Sequence, residues 1–133
     1  MTGSLPPETP ETASWWEHTR ERRLMVQRCS ACGHNQFYPR ALCLTCRSTD
    51  LDLASVSGHA RVRSFTVVHR APDPDAFDPP YVVALVALAE GPTLTTNLVG
   101  ADPDSWTCDE PVSLDWVALE DGRHLPVFVR QPT

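Results

Sequence analysis

The sequence predicts a mainly β chain built as two units: a helix with a metal-stapled segment over residues 14–50, then a five-stranded barrel over residues 51–133. Three observations carry this reading. Two C-x-x-C pairs, Cys29–Cys32 and Cys43–Cys46, lie within one short segment. Ser14 and Glu17 have the spacing of a capping box, marking a single helix start ahead of the cysteines. Beyond them, stretches rich in branched and aromatic residues alternate with Gly, Pro, Asn and Asp turn signals.

The cysteines are the most specific signal. Each C-x-x-C turn points two sulfurs at one place, and four soft ligands at tetrahedral spacing suit a structural zinc ion. Gly33 after the first pair can take the positive φ that closes such a turn. The Phe37–Arg40 stretch carries the chain between the two knuckles, so the ribbon is compact. The rival readings are two disulfides or a redox C-x-x-C. The chain opens with no basic n-region and no apolar h-region, which places it in the reducing cytoplasm, and two pairs argue against a thioredoxin-like site. One zinc ion held by Cys29, Cys32, Cys43 and Cys46 is therefore expected, in a closed site that holds structure rather than doing chemistry.

In chain order, residues 1–13 carry Pro6, Pro7 and Pro10 among Thr and Glu and read as a flexible leader. With Ser14 as N-cap, the helix is expected over Trp15 to about Arg23, its last turn holding Arg20, Arg22 and Arg23 where the macrodipole favours cations. Adjacent tryptophans point in different directions on a short helix, so one of Trp15 and Trp16 is expected to pack on the module and the other to meet a partner. Leu24–Arg28 reads as a strand feeding the first knuckle. In the second unit, strands are expected over Ala60–Val68, Tyr81–Ala89, Thr93–Val99, Pro111–Leu119 and Leu125–Val129. Glu90-Gly91-Pro92 and Asp121-Gly122 supply turns. Strands of this number and spacing fit a small Greek-key barrel of OB type. The Pro-rich stretch 71–80 reads as a loop outside the sheet, a usual place for partners.

Composition narrows the function. The chain has 133 residues and a net charge of −6, and no segment reaches membrane-spanning length. All eleven basic residues are arginine; residues 1–70 balance to +3 and residues 71–133 to −9. A single-stranded nucleic-acid binder needs basic and aromatic residues interleaved along the barrel. Arg61, Arg63 and Phe65 offer this on one strand only, and the acidic balance counts against that role.

Taken together, W-W-E, L-x-V-Q-R-C-x-x-C-G, Y-P-R, C-x-x-C, S-G-x-A-x-V-x-S-F-T-V-V-H and P-Y-V-V-A-L-V, in this order from Trp15 to Phe128, resemble the DUF35 family. Two departures stand out: the second knuckle has Leu44-Thr45 and Arg47 where Pro and Gly are common, and Asp109-Glu110-Pro111 stand where a glycine often precedes the fourth barrel strand. The resemblance implies an N-terminal helix, a rubredoxin-like zinc ribbon liganded by the four cysteines, and an OB fold. It also implies a non-catalytic partner of enzymes acting on acyl-CoA thioesters, of the thiolase superfamily or of MaoC-like enoyl-CoA hydratases. The stretches Val67-Val68-His69, Pro79-Pro80-Tyr81 and Asn97–Asp104 are similar to the DUF35 part of steroid side-chain degradation proteins. Those pair with a lipid-transfer-protein-like thiolase homologue that acts as a retro-aldolase, so a hetero-oligomer with two copies of each chain is implied.

An enzyme in its own right is not expected. Cys108 lies among acids that oppose thiolate formation and reads as a partly buried cysteine. His18, His34, His59, His69 and His124 lack metal spacing. Asp73, Asp75 and Asp78 are separated by residues unsuited to a calcium loop. A docking subunit is instead expected to present apolar, aromatic-bearing surface from Trp15 or Trp16, Phe77, Tyr81 and Trp106, with His69 beside a partner's active-site mouth. Arg20, Arg22, Arg23 and Arg28 are the candidates for CoA phosphates or an acidic partner patch, and a free-standing acyl-CoA binder is the alternative.

Overall fold

A computed structural model describes residues 8–70 and 79–131. Helix α1 spans Ala13–Thr19 and leads into β1, Met25–Cys29. A short β2, Asn35–Gln36, and β3, Leu51–Ser55, pair antiparallel on either side of β1, giving a three-stranded sheet. The sequence reading placed residues 51–55 in the barrel unit, but the pairing of Leu51 with Cys29 and Ser55 with Met25 puts them in the ribbon sheet.

The barrel follows as β4, His59–Val68; β5, Tyr81–Leu88; β6, Thr93–Leu98; β7, Pro111–Ala118; and β8, His124–Arg130. It closes in the order β4-β5-β6-β8-β7, the expected OB arrangement. Inward positions alternate cleanly along β5, where Val82, Ala84, Val86 and Leu88 are buried. That period of two explains why the nearly continuous apolar run is a strand. Between β6 and β8 the barrel closes through a single parallel pair, Leu98 with Phe128.

The β7–β8 hairpin turns at Gly122, φ +92°, and the β5–β6 hairpin at Gly91, φ +115°. In β4 the register slips between Val62 and Ser64, leaving Arg63 as a bulge. This extra residue turns Phe65 and Val67 toward the core.

The N-terminal helix differs from expectation at both ends. It begins at Ala13 with Thr12 at N-cap, because Thr9 already turns the chain: its carbonyl accepts from the Thr12 and Ala13 amides at 3.0 and 2.9 Å. Residues 9–12 thus belong to the helix approach rather than to a loose leader, and Ser14 lies inside the helix instead of capping it. At the far end Arg22 adopts φ +57° and the Arg23 amide reaches back to the His18 carbonyl at 3.1 Å, while the Arg22 amide bonds Thr19 O at 2.9 Å. This is a Schellman closure with arginine where glycine is usual. The regular helix therefore ends before the expected arginine turn.

Both tryptophans are inside, against the expectation that one would face outward. Trp15 and Trp16 are 5% and 8% exposed. The short helix lies in a crevice with two walls. Trp15 donates its indole N–H to the Met25 carbonyl of β1 at 2.8 Å and meets Phe37 edge-on. Trp16 faces the barrel and carries the buried Arg123 guanidinium 4.7 Å from its ring centroid. Arg123 Nε in turn bonds Asp121 at 2.5 Å, and Asp121 is held below the usual carboxylate range by the Arg123 backbone and side chain against the cost of its burial. His124 ties the same seam through its Nδ1, 2.8 Å from the Thr19 carbonyl.

Candidate functional site

The two knuckles are copies of one local design. Cys29 N–H donates to His34 O and the Gly33 amide returns to Cys29 O; Cys43 N–H donates to Ser48 O and the Arg47 amide returns to Cys43 O. Gly33 and Arg47 occupy equivalent places at φ +76° and +64°. The second knuckle thus keeps its turn despite lacking glycine, with Arg47 bearing the left-handed conformation. Asp109, φ +66°, does the same where a glycine often precedes the fourth barrel strand, and aspartate tolerates that region well.

The turns bring all four sulfurs within 4.8 Å of one another. Cys29 Sγ is 3.5 Å from Cys46 Sγ, and Cys32 Sγ is 3.7 Å from Cys43 Sγ. A tetrahedron with zinc–sulfur bonds of about 2.3 Å has edges of about 3.8 Å, so the thiols fit one zinc ion. Cys29 and Cys43 are buried while Cys32 and Cys46 face outward. Amides of Cys46 and then Thr45 point at the Cys43 sulfur and bring its thiol down to about 6. Cys46 responds to its neighbours in the other direction: the Ser48 amide lowers it, but Cys29, burial, Cys32 and Cys43 together push it up to about 12. Four thiolates in one place need a cation, and the ion would hold the ribbon closed with no open coordination position.

Behind the site lies an amide pair that sequence reasoning missed. Gln27 and Gln36 are 7% and 3% exposed. Gln36 Nε2 donates to Gln27 Oε1 at 2.7 Å and to Leu42 O at 3.2 Å, while its Oε1 accepts from the Leu44 amide at 2.9 Å. It therefore grips the residues on both sides of Cys43. Gln27 closes the network by exchanging bonds with the Arg40 backbone at 2.7 and 2.8 Å. The available signal was alternation: Gln27 shares a face of β1 with buried Met25 and Cys29. Replacing Gln36 with Leu is expected to weaken zinc binding about 10–100-fold, as loss of outer-shell support does; competition with a chromophoric chelator measures it.

The other expected site residues do not form one surface. Trp106 is 3% exposed, with the Arg130 guanidinium 4.6 Å from its ring centroid, so it joins Trp15 and Trp16 in the interior. Arg130 is also paired with Glu110, whose carboxyl is lowered chiefly by that hydrogen bond. Tyr81 opens β5 half-buried opposite Val68, with exposed His69 one residue beyond that partner. Phe77 and the three candidate calcium-loop aspartates lie outside the described residues. Arg20, Arg22, Arg23 and Arg28 are all exposed. Arg20 is engaged by Glu17 at 3.3 Å and by the Asp121 carbonyl at 2.7 Å, and Arg23 pairs with Glu21 at 3.8 Å. Cys108, expected to be partly buried, is exposed. Phe65 packs against the core while Arg61 and Arg63 face outward, so the interleaved basic and aromatic face of a nucleic-acid groove is not formed on β4.

Of the exposed large apolar side chains among the described residues, Leu85 lies on β5 and the other three lie between β2 and the end of the second knuckle. Tyr38, Leu42 and Leu44 are 48%, 45% and 61% exposed. Tyr38 also edges an apolar groove of about 190 Å³ between α1, the 37–39 loop, β6 and β8.

Comparison with known proteins places these features. A model of the ChsH2 rubredoxin-like zinc ribbon domain matches residues 16–52, and one of the ChsH2 C-terminal OB-fold domain matches residues 54–117. A DUF35 domain-containing scaffold protein of Methanothermobacter thermautotrophicus is 35% identical over 106 residues, covering 78% of this chain and 80% of that protein. A probable enoyl-CoA hydratase alpha subunit of Thermomonospora curvata is 45% identical over 118 residues, but this chain spans 37% of its length. Among solved structures, a chain of the Ltp2-ChsH2(DUF35) aldolase superposes with a TM-score of 0.87 at 43% identity, over 95% of this chain and 98% of that one. The chain belongs to the DUF35 family, with a ChsH2-type zinc ribbon and OB-fold barrel.

Proposed function

We propose that the protein is a non-catalytic accessory subunit that docks on and stabilises an acyl-CoA aldolase of the thiolase superfamily. The observation that carries this reading is its near end-to-end likeness to the DUF35 chain of an aldolase assembly. The chain's own chemistry agrees. Its metal ligands form a closed four-sulfur set, and the described residues hold no nucleophile–base pair in a pocket. The docking surface we assign is the Tyr38, Leu42 and Leu44 patch with the adjoining groove, because a lone subunit exposes there what a partner would cover. Zinc contributes by fixing the loop that carries this patch: Gln36 and the knuckle hold Leu42 and Leu44 by their backbones. Steroid-CoA is the substrate class we favour for the partner, and two copies of each chain the stoichiometry.

A second reading rests on the hydratase alpha-subunit relatives, of which this chain matches about a third. There the same module would serve a MaoC-like enoyl-CoA hydratase.

Tagged pull-down from the native host, with mass spectrometry and light scattering, decides between them. Recovery of an aldolase of thiolase fold in a defined complex is expected, and the complex supplies the enzyme for acyl-CoA lyase assays. Recovery of a hydratase instead selects the second reading, and recovery of neither defeats both. Leu44→Asp should abolish the complex while changing the stability of the free chain by less than about 0.5 kcal/mol, since the residue is exposed. An intact complex in that variant would move the interface elsewhere.

A further inference from the structure

The β4 bulge has a consequence on the outer face of the barrel. His59 and Arg61 share that face, and the bulged Arg63 is exposed beside them. All three line a cavity of about 360 Å³ whose remaining wall includes Ala87, Ala89 and Pro111. Ala87 and Pro111 lie directly across from Arg61 on β5 and β7, so small or ring-closed side chains leave open the space that bulky cross-strand neighbours would fill. The volume falls within the range of small-molecule sites.

Two of the three groups are already positioned. Arg61 Nη1 donates to the Asp109 carbonyl at 2.8 Å, and the His59 Nδ1 lies 3.0 Å from the Gln131 amide nitrogen. Arg63 has no hydrogen bond or ion pair with any described residue, which leaves its donor fork available for a ligand. The Asp109 side chain belongs to the same lining and sets one negative charge against the two arginines. Concentrating two guanidinium groups over an apolar floor is notable in a chain of net charge −6. A guanidinium fork matches the oxygens of a phosphate, and the alanines and proline offer a flat surface for an apolar ring.

We propose that this cavity binds a small phosphate-bearing molecule, with the phosphate between Arg61 and Arg63 and a flat apolar group over Ala87, Ala89 and Pro111. The site is independent of the docking role.

Calorimetric titration of the zinc-loaded full chain with adenosine 5′-monophosphate tests it, with inorganic phosphate and adenosine as the separate halves of the probe. One saturable site is expected, each half binding at least about tenfold more weakly than the whole. Arg63→Glu should weaken binding at least about tenfold with an unchanged melting temperature, as expected for loss of a charge-assisted contact by a side chain that supports nothing else. Asp109→Asn, which preserves a residue tolerant of the left-handed backbone, should tighten binding. Arg40→Glu makes the same charge change at an exposed position of the ribbon, outside the cavity lining, and should leave binding unchanged. The assignment is overturned if the wild-type chain shows no saturable binding or if Arg40→Glu weakens it as much as Arg63→Glu. It is also overturned if an oligothymidylate binds more tightly than the nucleotide with the same dependence on Arg63, which would make the face a nucleic-acid groove.

Discussion

Cys43→Ser is expected to cost the protein its zinc, its ordered ribbon and its partner together. Cys43 is 1% exposed, and its sulfur, 3.7 Å from Cys32 Sγ, also accepts from the Thr45 amide at 3.4 Å. A serine hydroxyl has nearly the same shape but stays protonated at neutral pH and is a hard donor, so the ion would lose a thiolate that nothing replaces. The ribbon has little core of its own, and small metal-stapled modules draw their folding free energy from the metal, about 10–16 kcal/mol for a zinc finger with all its ligands. Losing one ligand forfeits several kcal/mol of that order. Disorder should then spread along two routes. Gln36 loses its hold on Leu42 and Leu44, freeing the surface proposed for docking, and α1 loses the β1 carbonyl that anchors Trp15. Elemental analysis should fall from one zinc per chain toward none. Near-ultraviolet circular dichroism should lose tryptophan signal, and the pull-down should fail. Normal partner binding by this variant would show that the ribbon has no part in docking. Wild-type protein treated with a strong chelator should reproduce the same losses, and added zinc should reverse them.

The barrel and the metal site were legible because each rests on a pattern local in sequence. The C-x-x-C pairs specify their ligands within two turns, and the length and branched content of the apolar run from Tyr81 suit a buried strand rather than a helix. The misreadings arose where distant segments compete for the same residues. The Ser14–Glu17 spacing matches a capping box, yet the Thr9 turn recruits two more residues and moves the cap to Thr12. The adjacent tryptophans were divided between inside and outside on the assumption of a single packing surface. The ribbon and the β7–β8 hairpin provide two, one for each ring. Leu51–Ser55 looked like the start of the second unit, but its pairing with β1 is a contact across more than twenty residues that no local pattern announces. Gln27 and Gln36 carry no motif that marks them for burial; they are buried because they satisfy backbone groups in a ribbon too small to do so with regular structure. Surface was sought among aromatics, whereas the exposed large apolar side chains among the described residues are Tyr38 and three leucines, Leu42, Leu44 and Leu85, which no aromatic pattern marks.

Phe128→Ala is expected to be the most damaging change in the barrel, and its effect separates the two units. Phe128 is fully buried, and its backbone forms the single parallel pair with Leu98 that closes β6 on β8, reinforced by the Val99 amide donating to its carbonyl at 2.9 Å. On its other side it pairs with Leu114 of β7. One side chain therefore supports the seam where the barrel has the fewest hydrogen bonds. Truncation to alanine should cost about 3–5 kcal/mol, because the loss of apolar burial is compounded by a cavity that rigid strands cannot collapse around. Against a total stability of about 5–15 kcal/mol this lowers the melting temperature by about 10–20 °C. The zinc site should survive, since none of its ligands or supporting glutamines touches the β6–β8 seam and the ribbon sheet is paired within itself. Calorimetry and zinc content measured on the same sample below the transition check both parts. A destabilised variant that retains one zinc per chain shows that the ribbon orders itself around its metal and then packs on the barrel. Zinc lost along with stability would mean instead that the core shared by Trp15, Trp16 and the barrel, rather than the ion, is what keeps the ribbon folded.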